Sequence, residues 1–483
     1  MFKDFPTEII GLAFRHLAGN PGARERWDRT TIRDICQARL VCRRWSSLGL
    51  PYLFSTVDLE HREDNFSKWN AMLDDVTIRD TARHVIIDSA PDDLGERDYE
   101  IWTEWEDEDG RWPAFTDSID RIRELPSINS LELRFTDKCF APNSQPWRRG
   151  ARDDMEKVGS RENTLRAVFG AIQRRASENP GFSIIRSLTI ENLQNIPTPD
   201  FTTSELFRTV MKDVQELRLH ITHEYNEFRP DRDLFFVERS QFEPYMEQHW
   251  LAPVAGQLTS LSLFFDECWG TLPGYFKTDL AFPNLKTLNL SNFVISHHDH
   301  FDWVLAQKSL TCLRMDQCYI LSHLCVRESE LLSWKTPNHD WQLQPDGSFG
   351  LSHGDRRVHT FSGTWEATLD RIRSELPQLV EFRFCNTGRI HRFKDLETME
   401  TRLHNLRYIV LDTEMLPSPW LEANRRDGAM SFGNNHPSVS QPDEDEQSGK
   451  VNVGLNMAKK HEMGDKRAFE ELLQTIEKRQ TRS

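Results

Sequence analysis

Leu310-Thr311-Cys312-Leu313-Arg314-Met315-Asp316-Gln317-Cys318-Tyr319-Ile320 sets apolar side chains three and then two residues apart. An interval of two puts Leu313 and Met315 on one face of an extended segment and Arg314 on the other. The form L-x-x-L-x-L, with aliphatic or Phe substitutes, recurs as Ile128/Leu131/Leu133, Ile185/Leu188/Ile190, Val214/Leu217/Leu219, Leu258/Leu261/Leu263, Leu285/Leu288/Leu290, Leu379/Phe382/Phe384 and Leu406/Ile409/Leu411. So loose a pattern arises by chance in 483 residues, and spacing has to decide. Between middle residues the intervals are 29 (188 to 217), 27 (261 to 288), 25 (288 to 313) and 27 (382 to 409). These lie within or at the period of about 20 to 29 residues of a one-strand repeat. The wider intervals of 57, 44 and 69 predict insertions or degenerate repeats.

Helical patterns precede several of these strands: Leu165/Val168/Phe169/Ile172, Leu206/Val210, Phe301/Val304/Leu305 and Trp365/Leu369/Ile372/Leu376. A helix–strand unit cannot bury both faces alone, and stacking such units gives a curved array with parallel strands on its concave side. The pattern resembles irregular leucine-rich repeats, and the Leu310 to Ile320 stretch is similar to their cysteine-containing version. An ordinary α/β domain with a parallel sheet is the alternative. In an array, side chains between the buried positions face the concave surface, which makes Arg218, Ser262, Asn289, Arg314 and Arg383 candidate substrate contacts, with Phe264 as an apolar anchor. Three arginines on one face suit an acidic or phosphorylated segment, because guanidinium pairs bidentately with carboxylate and phosphate. Paired surface charge is the other reading.

At the amino terminus Pro6 suits a first helical turn and Glu8 complements its dipole. Ile9, Ile10, Ala13, Phe14 and Leu17 follow at helical spacing, and the Gly-Asn-Pro-Gly run at 19–22 stops the helix. A second helical pattern starts near Thr31 and runs through Ile35, Leu40 and Val41 toward Trp45 and Leu48, until Pro51 interrupts it. So small a helical unit calls for a partner or an adjoining domain to cover its remaining face. Pro6, Glu8, Ile9, Leu17, Val41, Cys42, Arg43, Trp45, Leu48, Pro51, Leu53 and Phe54 resemble the F-box pattern, with Phe5 in place of the usual Leu and residues 18–30 lengthening the middle. The resemblance implies docking onto the Skp-family adaptor of a cullin-based ubiquitin ligase through Phe5, Pro6, Ile9, Leu17, Leu40, Val41, Trp45 and Leu53, and makes Cys42 a packing residue.

The expected fold is therefore α/β: an all-α F-box (1–55), a helical connector (56–80), an irregular leucine-rich-repeat array (81–416), and a largely disordered tail with a short terminal helix (417–483). A net charge of −16 disfavours nucleic acid as a partner. No apolar run reaches the roughly 20 residues of a membrane span, and no signal segment opens the chain, so no membrane association and a cytoplasmic or nuclear site are expected. Eight dispersed cysteines without zinc-type spacing predict reduced thiols, no disulfide and no structural metal. Cofactors are not expected either.

The acidic loop 104–110, flanked by Trp102, Trp105 and Trp112, is read as solvated with its tryptophans packed on the body, or as a cradle for a basic peptide. Residues 334–359 read as a hairpin over one edge of the array. Residues 433–449 have the composition of disorder, and Phe469, Leu472, Leu473 and Ile476 predict an amphipathic helix docked back on the body. No Gly-rich phosphate loop, H-E-x-x-H helix or G-x-S-x-G elbow is present, which points away from an enzyme. In His297-His298-Asp299-His300, Asp299 is expected to cap a helix near Phe301 rather than bind metal. Together these readings give the substrate-recognition subunit of an Skp-cullin-F-box ligase, with an adaptor, a cullin scaffold and a protein substrate as partners. A repeat scaffold without ubiquitin transfer is the alternative.

Overall fold

A computed structural model describes residues 6–18, 29–89, 111–137, 139, 156–223, 237–346, 348, 355–386, 400–413, 423–424, 429–430 and 457–481. The fold is mixed α/β with parallel strands. Two compact units make it up: Met1–Thr136 with Gly150–Glu191 and Ser204–Val214, and Asp137–Arg149 with Asn192–Thr203 and Gln215–Ser483.

The first unit opens with α1 (Thr7–Ala18), α2 (Arg29–Arg39) and α3 (Arg43–Phe54). The helical pattern read from Thr31 onward forms two helices: Cys42 is extended at φ −166°, which redirects the chain into α3. Pro51 does not end the helix. Its ring removes one donor, but its carbonyl still accepts from Ser55 N at 3.0 Å, so α3 runs on to Phe54. Thr56–Glu60 is a strand, β1, where a helical connector was expected, because Val57 and Leu59 are buried around exposed Asp58 with the period of two of a sheet. The helical part of that connector is α4 (Glu63–Asp74) and α5 (Val76–Thr81), the latter capped by Asp75, whose carboxylate accepts from Thr77 N at 2.8 Å. Then come β2 (His84–Asp88), β3 (Ser130–Arg134) and β4 (Ser187–Gln194), with β1, β2, β3 and β4 pairing in parallel and in order. The helix Val158–Glu178 buries Leu165, Val168, Phe169 and Ile172 as its pattern required.

The second unit contains β5 (Glu216–Thr222), β6 (Ser260–Phe265), β7 (Thr287–Ser291), β8 (Val294–Ile295), β9 (Cys312–Asp316), β10 (Tyr319–Arg327), β11 (Trp341–Leu343), β12 (Arg356–Phe361), β13 (Glu381–Cys385) and β14 (Tyr408–Asp412). Strands β5, β6, β7, β9 and β13 run parallel in that order. A second sheet has the order β11-β12-β10-β14, with β8 also on β10. The Leu406/Ile409/Leu411 segment is thus a strand, but it joins the second sheet and not the main run. Strand β10 is buried along seven of its nine residues and needs neighbours on both edges, and Ile320 N reaches Arg407 O at 3.0 Å. The insertion at 334–359 contributes β11 and β12 as an antiparallel pair in this same sheet.

One backbone junction recurs at the start of the parallel strands. The carbonyl just ahead of one strand accepts from two successive amides entering the next. In the first unit, Ser55 O takes Arg83 N and His84 N at 2.8 and 2.9 Å, Arg83 O takes Asn129 N and Ser130 N, and Asn129 O takes Arg186 N and Ser187 N. In the second, Gln215 O, Thr259 O, Lys286 O and Thr311 O do the same for the pairs 259/260, 286/287, 311/312 and 380/381. At the far ends of β7 and β9, Asn292 and Gln317 take left-handed backbone, φ 59° and 50°, and Asn292 Nδ2 donates to Phe265 O at 2.7 Å. Both ends of these strands are therefore built alike.

The expected tail falls partly on 433–449, outside the described residues. The terminal helix is long, Glu462–Gln480, and docks on the helix Trp365–Glu375 with Phe469, Leu472 and Ile476 buried. Arg479 caps that neighbour's end, donating to Leu376 O at 2.8 Å and Arg373 O at 2.9 Å.

Candidate functional site

Two surfaces come into question, and each lies within one unit. On the first, α1, α2 and α3 close around Ile10, Phe14 and Ile35. Phe14 meets Trp45 edge-on at 5.6 Å and stacks on Tyr52 at 5.7 Å, while Tyr52 Oη donates to Gly11 O at 3.1 Å. Gly49 is where the helices come closest: a Cβ there would lie 2.5 Å from Arg39 Cγ and 2.8 Å from Phe14 Cε1. Of the residues expected to dock, Pro6, Ile9, Leu17, Leu40 and Val41 are exposed, Leu40 by 77%, and they share the surface with Leu12 at 53% and Ile32. Trp45 and Leu53 are half-buried in the helical core and supply packing. Phe5 lies outside the described residues. Large apolar side chains left in water over so short a stretch are the mark of a contact face.

On the second surface, Arg218, Ser262, Asn289, Arg314 and Arg383 occupy one continuous register row across β5, β6, β7, β9 and β13. At about 4.8 Å per strand the row spans about 19 Å. Its members differ in access. Ser262 is 1% exposed and Asn289 6%, and Asn289 Nδ2 donates to Ser262 Oγ at 2.8 Å, so this pair is an internal bridge rather than a free contact. Phe264 is also buried, at 3%, which removes it as an anchor. Short polar side chains between bonded strands satisfy one another before they reach solvent.

The three arginines are half-buried. Glu381, which the sequence reading passed over, sits beside two of them: Arg314 Nε donates to its Oε1 at 2.8 Å, and Arg383 Nε lies 3.6 Å from the same oxygen. Burial alone would raise this carboxyl, but the Arg314 bond, with Arg383 beside it, outweighs burial and holds it below the usual range. Glu381 was detectable, since it opens the strand that carries Arg383 two residues on. Arg218 Nε has no hydrogen-bond partner among the described residues.

The His297 to His300 cluster divides. His300 is buried, with Nε2 on Phe276 O at 2.7 Å, and burial pushes it down to about 3. Asp299 does not cap the helix Asp302–Leu305, which has no side-chain cap; its carboxylate is held by Lys277 Nζ instead. Around the acidic loop, Trp112 packs on His61 at 4.3 Å, while Trp102, Trp105 and 104–110 lie outside the described residues. Among the described residues no helix is long and apolar enough to cross a membrane. No protein-family model matches the chain, and no curated protein matches it.

Proposed function

We propose that this chain is the substrate-recognition subunit of an Skp-cullin-F-box E3 ubiquitin ligase, with α1 to α3 as the F-box and the parallel strands as irregular leucine-rich repeats. The observation that carries the reading is the exposed apolar face of Ile9, Leu12, Leu17, Ile32, Leu40 and Val41. Four of these, Ile9, Leu17, Leu40 and Val41, are residues that the F-box resemblance assigns to the adaptor. The recurring carbonyl junction supports the repeat reading, because stacked equivalent units enter the sheet in one geometry. The chain itself supplies no reactive group in this proposal. Holding a substrate near the charged enzyme raises the effective concentration of its lysines, and rate comes from that proximity.

The test is reconstitution of the full-length chain with the adaptor and cullin, beside a Leu40→Asp/Val41→Asp double variant. Both side chains are exposed, so the variant keeps the wild-type melting temperature. The expected result is a stoichiometric complex for the wild type and at least tenfold weaker binding for the variant, about 1.4 kcal/mol or more. No complex with the wild type would overturn the ligase reading and leave a repeat scaffold acting without ubiquitin transfer.

A further inference from the structure

Three polar atoms in the second unit are buried without a hydrogen-bond partner, Asp299 Oδ1, His297 Nε2 and Tyr275 Oη, and the rings of Tyr275 and His297 lie 5.5 Å apart. Unsatisfied groups that cluster in this way are where a water or an ion belongs. Beside them, ligand atoms of Asp299, His339 and Asp340 all lie within 4.8 Å of one another. His339 Nε2 stands 3.9 Å from Asp299 Oδ1 and 3.7 Å from Asp340 Oδ2, too far for hydrogen bonds. Zinc bonded to nitrogen and oxygen at about 2.0 to 2.2 Å holds its tetrahedral ligands about 3.3 to 3.5 Å apart. The two His339 pairs stand a few tenths of an ångström beyond that spacing, and the two carboxylates, within 4.8 Å of each other, would close on the ion from either side.

We propose that Asp299, His339 and Asp340 bind a zinc ion that fastens the start of β11 to the turn at 296–300. The site stands against the expectation of a metal-free chain, and it uses only one residue of the His-His-Asp-His run. Of that run only Asp299 is a ligand, while the second and third ligands come from about forty residues further on. The ligands are already positioned. Lys277 engages Asp299 through Oδ2 and leaves Oδ1 for the metal. Asp340 Oδ2 accepts from His298 N at 2.8 Å, and Trp341 Nε1 donates to Ser296 O at 2.8 Å, which fixes the two loops against each other.

His297 completes the surroundings. It is fully buried, its Nδ1 lies 3.0 Å from Ser296 Oγ, and its ring stacks on that of His339 at 4.6 Å. Its Nε2 is the partner for a water in the fourth position of the ion. One imidazole with two carboxylates selects a borderline ion over magnesium or calcium, which take oxygen throughout.

The experiment uses the full-length protein, stripped with a chelator and titrated calorimetrically with Zn2+, then with Co2+ followed by its visible absorption. Wild type and a His16→Ala control are expected to take up one equivalent and give the same cobalt spectrum. His339→Ala and Asp340→Asn are expected to bind at least tenfold more weakly and lose that spectrum, while metal-free circular dichroism stays that of wild type. His339 is 56% exposed, so its truncation leaves the fold in place. Absence of stoichiometric uptake by the wild type, or equal uptake by all four proteins, overturns the assignment.

Discussion

Truncating Asp465 to Ala should be among the most damaging single changes in the second unit, and its cost can be worked from its partners. Asp465 is fully buried and Arg407 is 2% exposed. The carboxylate accepts from Arg407 Nε at 2.7 Å, from Tyr408 Oη at 3.0 Å and from Glu366 N at 2.9 Å. Without it, the guanidinium keeps only the carbonyls of His404 and Ala458, and the buried Tyr408 hydroxyl and the half-buried Glu366 amide lose their acceptor. Leaving one charge of a buried pair uncompensated costs about 3 to 5 kcal/mol, whereas replacing both partners by apolar residues of similar volume is often close to neutral. Asp465→Ala should therefore cost about 3 to 5 kcal/mol, and Arg407→Met/Asp465→Leu less, about 1 to 3 kcal/mol, because Tyr408 Oη and Glu366 N still lose their acceptor. Arg467→Ala, which breaks an exposed pair between the terminal helix and Glu366 of the helix Trp365–Glu375, should cost under about 1 kcal/mol. Urea denaturation with amide exchange of Glu462–Gln480 measures all three. A single variant within 1 kcal/mol of wild type, or a double variant as damaging as the single, would refute the claim that this pair holds the terminal helix.

Two further outcomes follow from buried groups in the structure. Burial lowers His61 and His404 to about 3 and His323 to about 4, against 6.5 in an unfolded chain. Only the unfolded state takes up these protons just below 6.5, so stability is full above that pH and falls as pH drops toward the folded values. Between pH 7.5 and 5.5 each histidine should remove about 1.4 kcal/mol, and urea midpoints that do not shift across this window would contradict it. Gly49→Ala would push a methyl into Phe14 and Arg39 and should destabilise α1 to α3 by about 1 to 3 kcal/mol, and so weaken the proposed adaptor capture without altering any exposed side chain. An unchanged thermal melt together with unchanged capture would count against that packing.

The period-two signal was strong enough to find most of the parallel strands, since Leu131/Leu133 and Leu313/Met315 have nowhere to go but one buried face. It also existed at Phe54/Val57/Leu59, where α3 runs straight into β1 and the helical neighbours on both sides concealed it. What the pattern could not give was sheet membership: Ile409 and Leu411 alternate like the others, but β10, which lies in the 69-residue interval between Leu313 and Phe382, claims them. For the candidate surface, the register row of Arg218 to Arg383 was legible because one position per strand is fixed by the leucines beside it. Access was not, because the Asn289–Ser262 bridge and the Glu381 pairing depend on which neighbours the strands acquire.

Irregular spacing and regular geometry are compatible for a quantitative reason. From Lys286 to Thr311 the chain takes 25 residues to return to the junction, and from Thr311 to Val380 it takes 69, a stretch that includes β10, β11 and β12. Val380 and Glu381 nevertheless meet Thr311 O at 2.9 and 3.0 Å, matching the 2.9 Å pair at Lys286 O. Closing the longer loop costs more entropy only as the logarithm of its length, about 0.9 kcal/mol for 69 residues against 25. Two backbone hydrogen bonds at about 1 kcal/mol each, together with burial of Phe382 and Phe384, exceed that difference. Insertions between junctions therefore leave the strand array standing and can become structures of their own, as the second sheet did. The period read along the chain records those insertions, while the shared carbonyls record the repeat.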